Sequence, residues 1–227
     1  MIDTILQSTF WALLLTSATY HLGLFLFTKT GSAIFHPILV SAGLIIPFLL
    51  LTGISNESYQ ASMKSVSWLL TPCTVSFGLI LYTQVQKLKA HIWPILAGVV
   101  TGTAVSLLSV WGLCLLFKLD HTLLVSLLPK SVTTAMAQPL SESSGGIVSL
   151  TTCAVVFTGI LGGIFGPIMC KIFFLKDPVS QGVAFGTASH VVGTTKATEI
   201  NELSGAVGSL SLVITGLLTA IAFSFIL

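Results

Sequence analysis

Apolar residues run along this chain in long stretches, and polar positions collect in short breaks between them. The breaks mark out segments at about 5–28, 33–53, 63–84, 92–117, 121–140, 147–174, 179–196 and 204–227. About 20 apolar residues are what one helix needs to cross a bilayer. The pattern therefore predicts seven or eight hydrophobic helical segments with short connections. Residues 55–62 read as a polar loop, and 141–146 as a glycine-serine loop. Two segments depart from the plain pattern. The fifth carries Pro129 and Lys130 in its interior, and the seventh is too polar and glycine-rich for an ordinary span. Helix breaks are expected at Pro72, Pro129, Gly186 and Gly193, because proline removes a backbone donor and glycine weakens a helix interior.

Composition agrees with the pattern. Of 227 residues, 54% are hydrophobic and only 7% charged, and the mean hydropathy is +1.01. Soluble domains carry about 25% charged residues. The fold class expected is an all-α integral membrane protein with interrupted or re-entrant helices, built as one polytopic membrane domain over 1–227. No stretch is polar enough for a separate soluble domain. The start Met1-Ile2-Asp3 lacks a basic leader, so the first segment reads as a retained helix. The net charge is +2, all from lysine on the positive side, with no basic run. Nucleic acid is therefore not an expected partner. Cys73, Cys114, Cys153 and Cys170 are scattered without paired spacing and read as packing residues, so no metal site and no cofactor are expected.

Lysine placement bears on topology. If all eight segments cross, alternate loops share Lys29, Lys87, Lys89 and Lys196 against Lys64, Lys118, Lys171 and Lys176, a tie. If the fifth and seventh segments turn back, Lys171 and Lys176 change sides and only Lys64 and Lys118 oppose the rest. That asymmetry favours re-entrant segments and puts the N-terminus outside. Thr101-Gly102, Thr158-Gly159 and Thr215-Gly216 recur at one spacing, which Pro72 with Pro129 and Glu142 with Glu199 share. Chance competes with a repeat here. A repeat would give halves of about 1–118 and 119–227 and an inverted-repeat transporter architecture, in which interrupted helices meet at a binding site.

Two polar clusters carry the candidate chemistry. One is Pro129, Lys130, Ser131, Thr133 and Thr134. The other is Gly186, Thr187, Ser189 and His190, with Gly193 following. A lysine at the middle of a lipid-facing helix costs about 2.5–3.5 kcal/mol, so Lys130 is expected to face a cavity or an anion. Broken helices expose free N–H groups at their N-terminal ends, which also favours an anion. The candidate substrate-binding residues are Lys130, Ser131, Thr133, Thr134, Thr187, Ser189 and His190. His190 is also the proton-coupling candidate, its ordinary pKa lying near 6.5. Each residue has a plainer reading. Lys130 could snorkel, His190 could bridge two helices, and each hydroxyl could bond back to its own helix. Lys196 and Glu199 read equally as a surface salt bridge. No enzyme motif is present, and Ser189 and His190, as helix neighbours, diverge by about 100° and make a poor catalytic pair.

The stretch 128–134, Leu-Pro-Lys-Ser-Val-Thr-Thr, resembles a signature of the LrgB/CidB family. So do Thr158-Gly159-Ile160-Leu161-Gly162 with Phe165-Gly166-Pro167, Gly186-Thr187-Ala188-Ser189-His190, and 47–55 in the N-terminal half. The likeness covers nearly the whole chain. It implies a multi-pass protein of the bacterial plasma membrane, acting with a small LrgA/CidA-type membrane partner. Members were named for holin-like and antiholin-like effects on murein hydrolase activity and lysis. Others are tied to pyruvate, and a plastid glycolate/glycerate translocator carries a similar domain. Two departures concern helix breakers: Ala135 and Ile80 stand where the family often has proline. The expected function is carriage of small monocarboxylates such as pyruvate, lactate or glycolate, with proton coupling. The alternative is a holin-like or antiholin-like regulator of murein hydrolase export and lysis. Expected partners are the small organic anion, the LrgA/CidA-type protein, the lipid bilayer and a second copy in a homodimer.

Overall fold

The computed structural model describes residues 8–30, 35–69 and 91–226, with positions 72, 75, 82, 86 and 89. Among them every regular element is helical. Four helices are long and apolar enough to cross a membrane: α1 (Thr9–Thr30), α4 (Ile92–Leu116), α7 (Val148–Ile172) and α9, apolar over Glu202–Phe225. Among the described residues four helices thus meet that length, where seven or eight hydrophobic segments were expected along the whole chain. The second segment is the shorter α2 (Pro37–Thr52), and the fifth and seventh are interrupted. Most of the third, with Ile80, lies outside the described residues. Pro72 itself has helical backbone.

Residues 1–75 form one compact unit and 76–227 another. In the first, α2 opens on Pro37, where the missing N–H costs nothing, and closes on Gly53 in the left-handed conformation. Of residues 55–62, expected as a loop, 56–62 belong to α3 (Asn56–Ser67). The Ser55 side chain caps it by accepting from the Ser58 N–H. Polarity there marks an exposed helix, not an absence of structure. Tyr59 anchors α3 on α1, its hydroxyl 2.6 Å from Thr16 Oγ1 and its ring edge-on to Trp11.

The second unit is built around α9 (Glu202–Ile226). Of its most apolar stretch 56% is buried, against 22% for α4 and α7, so α9 is the central helix. Ile95, Val99, Val179 and Val207 form the core where α4, α8 and α9 begin. Val110, Cys114, Val125, Leu128 and Phe223 form it near the other end of α4 and α9.

Between α4 and α7 the chain makes a hairpin. Its entering arm is α5 (His121–Leu127), its tip a 3-10 turn (Leu128–Ser131), and its returning arm α6 (Thr134–Ser143). Ser126 on α5 accepts the Ile147 N–H, and Ser141 on α6 is bonded by Thr151. Both arms thus end beside the start of α7. The second hairpin is α8 (Pro178–Ile200), whose backbone breaks at Ser189 and His190. In its first arm Gly182 meets Ser204 and Val207, and Gly186 meets Gly208 and Ser211. In its second arm Thr194 meets Gly208, and Thr198 meets Gly205. The two arms run along the same stretch of α9 in opposite senses, so the chain turns back at the break.

Candidate functional site

The tips of the two hairpins come together. In the first, Pro129 (φ −84°, ψ 19°) cannot continue α5, and Val132 is extended at ψ 174° before α6 starts. No proline is needed at position 135, since α6 is already under way there. In the second, His190 sits at φ 40°, ψ −134°. A side-chain-bearing residue in such a region costs about 1–3 kcal/mol and persists only where its surroundings fix it. Gly186 and Gly193, expected to break this segment, lie instead within its two helical arms. Their role is close packing. A Cβ at Gly193 would lie 2.5 Å from Ser189 Cβ, and one at Gly186 would run into the Gly208 carbonyl oxygen.

Lys130 is half-buried at the first tip and donates to Ser131 Oγ at 3.0 Å and to Ser106 Oγ of α4 at 3.5 Å. The two hydroxyls are themselves 3.0 Å apart. Among the described residues the ion pair found is Lys196 with Glu199, on the second arm of α8, and no carboxylate pairs with Lys130. Lys130 therefore has hydroxyl partners for part of its hydrogen-bonding capacity and, among the described residues, no counter-charge.

His190 is buried, and its Nε2 lies 2.8 Å from the Val155 carbonyl of α7. The carbonyl can only accept, so Nε2 carries the proton and donates. The ring packs over Gly159, and Ser189 packs on Gly162. These two glycines let the second tip seat against α7. The His190 carbonyl accepts from Thr194 Oγ1 at 2.8 Å, which ties the tip to the returning arm. Lys130 lies within electrostatic reach of His190.

A cavity of about 540 Å³ opens between the tips, with Lys130, Thr158 and Ser189 as its polar lining and Leu161, Phe165, Met169 and Phe185 among its apolar walls. A second cavity, about 590 Å³, lies between α4 and the first arm of α8 and holds His91, Asp177, Thr101 and Thr187. Asp177 caps α8, and its carboxyl is held below the ordinary aspartate range by the Ser180 N–H and hydroxyl bonded to it.

The expected site residues thus divide. Lys130 and Ser189 line the first cavity, with Ser131 bonded to Lys130. His190 stands behind Ser189. Thr187 bonds back to the Val183 carbonyl and lines the second cavity. Thr133 is the residue before α6 and makes no side-chain cap, and Thr134 opens that helix; neither lines the cavity. Sequence reasoning missed Ser106, which no motif flagged. It also missed the contact role of Thr158, although Thr158-Gly159 belongs to the recurring pair. Each recurring glycine approaches one of the hairpins: Gly102 meets Thr187, Gly159 meets His190 and Gly216 meets Met136.

The profile of the LrgB-like family matches residues 16–227. The antiholin-like protein LrgB of Bacillus subtilis (strain 168) is 34% identical over 216 residues, covering 95% of this chain and 94% of that one. Proteins of the same name from Bacillus mycoides (strain KBAB4) and Bacillus cereus (strain B4264) are 33% identical over the same lengths. No solved structure matches this chain.

Proposed function

Since this chain belongs to the LrgB-like family, we propose that it is a multi-pass carrier of small monocarboxylates in the bacterial plasma membrane. The observation that supports this most is Lys130, a cation with no carboxylate partner among the described residues, at a cavity between two broken hairpins. Irregular backbone at membrane depth is tolerated where it is buried or lines a cavity. An anion at Lys130 would complete its bonding, and the N-terminal end of α6 adds a favourable partial charge. Ser189 and Thr158 supply hydroxyls for the second oxygen. His190 serves as the proton-coupling residue, and nothing in the reading requires enzymatic chemistry.

In this reading both hairpins are re-entrant and enter from opposite faces. The face at the ends of α7 and α8 carries Lys171, Lys176 and Lys196, against Lys118 at the other. Positive charge marks the cytoplasmic side. The cavity runs from the tips toward Met169, Cys170 and Leu175, and so opens to the cytoplasm. The inverted repeat, the homodimer and the LrgA/CidA-type partner belong to the same proposal.

The relatives' names favour a second reading, an antiholin-like regulator of lysis. Uptake of labelled pyruvate into proteoliposomes, with and without an inward proton gradient, separates the two. Saturable uptake that Lys130→Ala abolishes supports the carrier. Leakage of an unrelated dye without saturation, indifferent to Lys130, supports the regulator or pore.

A further inference from the structure

The cavity is larger and more apolar than a three-carbon acid requires. From Thr158 to Cys170 it follows α7 for twelve helical rises, about 18 Å. A volume of about 540 Å³ falls in the range of pockets for far larger ligands, roughly 300–1,000 Å³. Its polar groups gather at the hairpin tips, at Lys130, Ser189 and Thr158. Beyond them the walls are Leu161, Phe165, Met169, Phe185 and Leu175. A charged head with an apolar tail matches that division, whereas a three-carbon acid would leave the apolar walls bare.

We infer that the preferred ligand of this site is a branched or aromatic 2-oxo acid of five carbons or more, its carboxylate on Lys130 and its tail along α7. The inference rests on the carrier reading for its transport test but not for its binding test. Each methylene moved from water onto an apolar wall strengthens binding by roughly fourfold. Three extra carbons, half covered in so open a cavity, give about tenfold.

The test is competition against labelled pyruvate in proteoliposomes holding the full chain. The competitors are unlabelled pyruvate, 4-methyl-2-oxopentanoate and decanoate. We expect the branched acid to halve uptake at about one-tenth the concentration of pyruvate. A branched acid no better than pyruvate overturns the inference and leaves the carrier reading standing. Decanoate as the strongest competitor also overturns it, since the cavity would then be a slot for lipid chains. If labelled pyruvate does not enter, and labelled 4-methyl-2-oxopentanoate tried in its place does not either, the carrier reading fails, and calorimetry on the detergent-solubilised protein decides the site separately. Binding of the branched acid tighter than pyruvate supports the inference, and its absence ends it. Ala188 is exposed and lines the cavity beside Ser189, so Ala188→Leu fills space at little risk to folding. It should cut the preference for the branched acid about tenfold, and an unchanged preference counts against the site.

Discussion

Gly159→Ala tests how the second hairpin is held. A Cβ there would lie 2.5 Å from His190 Cε1 and 2.7 Å from Nε2. Comfortable contacts between such atoms are about 3.5–4.0 Å, so the ring must retreat by about 1 Å. The 2.8 Å bond from Nε2 to the Val155 carbonyl would then stretch beyond hydrogen-bonding range. Overpacking of a tight core costs about 1–3 kcal/mol, and a buried donor left unpaired costs a similar amount. The sum is about 4 kcal/mol. For a chain of this size that lowers the melting temperature by roughly 8–16 °C. The assay is thermal unfolding in detergent micelles followed by tryptophan fluorescence. The sharper result comes from a double-mutant cycle. In a His190→Ala background the ring is gone, and Gly159→Ala should cost nothing or gain slightly from the better helix propensity of alanine. Additive effects of the two changes would refute the packing argument, as would a Gly159→Ala protein that melts like the parent.

Other expectations follow from single contacts. Ser106→Ala removes one of two hydroxyls that orient Lys130, and should weaken anion affinity by about tenfold, near the low end of the roughly 1.5–3 kcal/mol of a hydrogen bond to a charged group, without shifting the melting temperature; titration calorimetry reads the affinity and thermal unfolding the stability. Ser126→Ala leaves the Ile147 N–H without its partner, and should destabilise the first hairpin by about 1–3 kcal/mol, seen as faster hydrogen exchange over the 144–147 loop. Asp177→Ala removes the cap of α8 and should cost about 0.5–2 kcal/mol. Because the Asp177 pKa is lowered on folding, its carboxylate contributes fully above the ordinary aspartate value and loses that contribution as pH falls through the lowered one. The gap in melting temperature between parent and Asp177→Asn should therefore close on acidification.

Much of this was legible in the residues. Long apolar runs marked the four described helices that are long enough to cross a membrane. Lys130 beside Pro129 marked the first broken hairpin, because charge and a missing donor are both costly in a bilayer and seldom coincide by accident. The second break was placed in the right segment but on the wrong residues. Glycine is read as a breaker because it is conformationally free, yet Gly186 and Gly193 are there for their small size against α9 and Ser189. The actual turn at His190 is imposed by tertiary contacts with α7, which no local pattern encodes. Ser106 was invisible for the same reason: it sits in an unremarkable apolar helix and gains meaning only when Lys130 is packed against it. The α3 helix was missed because its polar residues suggested a loop, and only the Ser55 cap could have hinted otherwise.

The lone cation at the hairpin tip also has an electrical consequence. While its ammonium is protonated, an empty site carries one positive charge, and a bound monoanion cancels it. In a carrier that reorients this site with the anion alone, the loaded step would move almost no charge across the field and the empty step a full one, whereas a proton riding on His190 would give the loaded step a full charge as well. A membrane potential is worth about 2.3 kcal/mol per charge per 100 mV. Voltage would then act on the unloaded protein, and with the interior negative it would draw the vacant site to the cytoplasmic side to await its next anion.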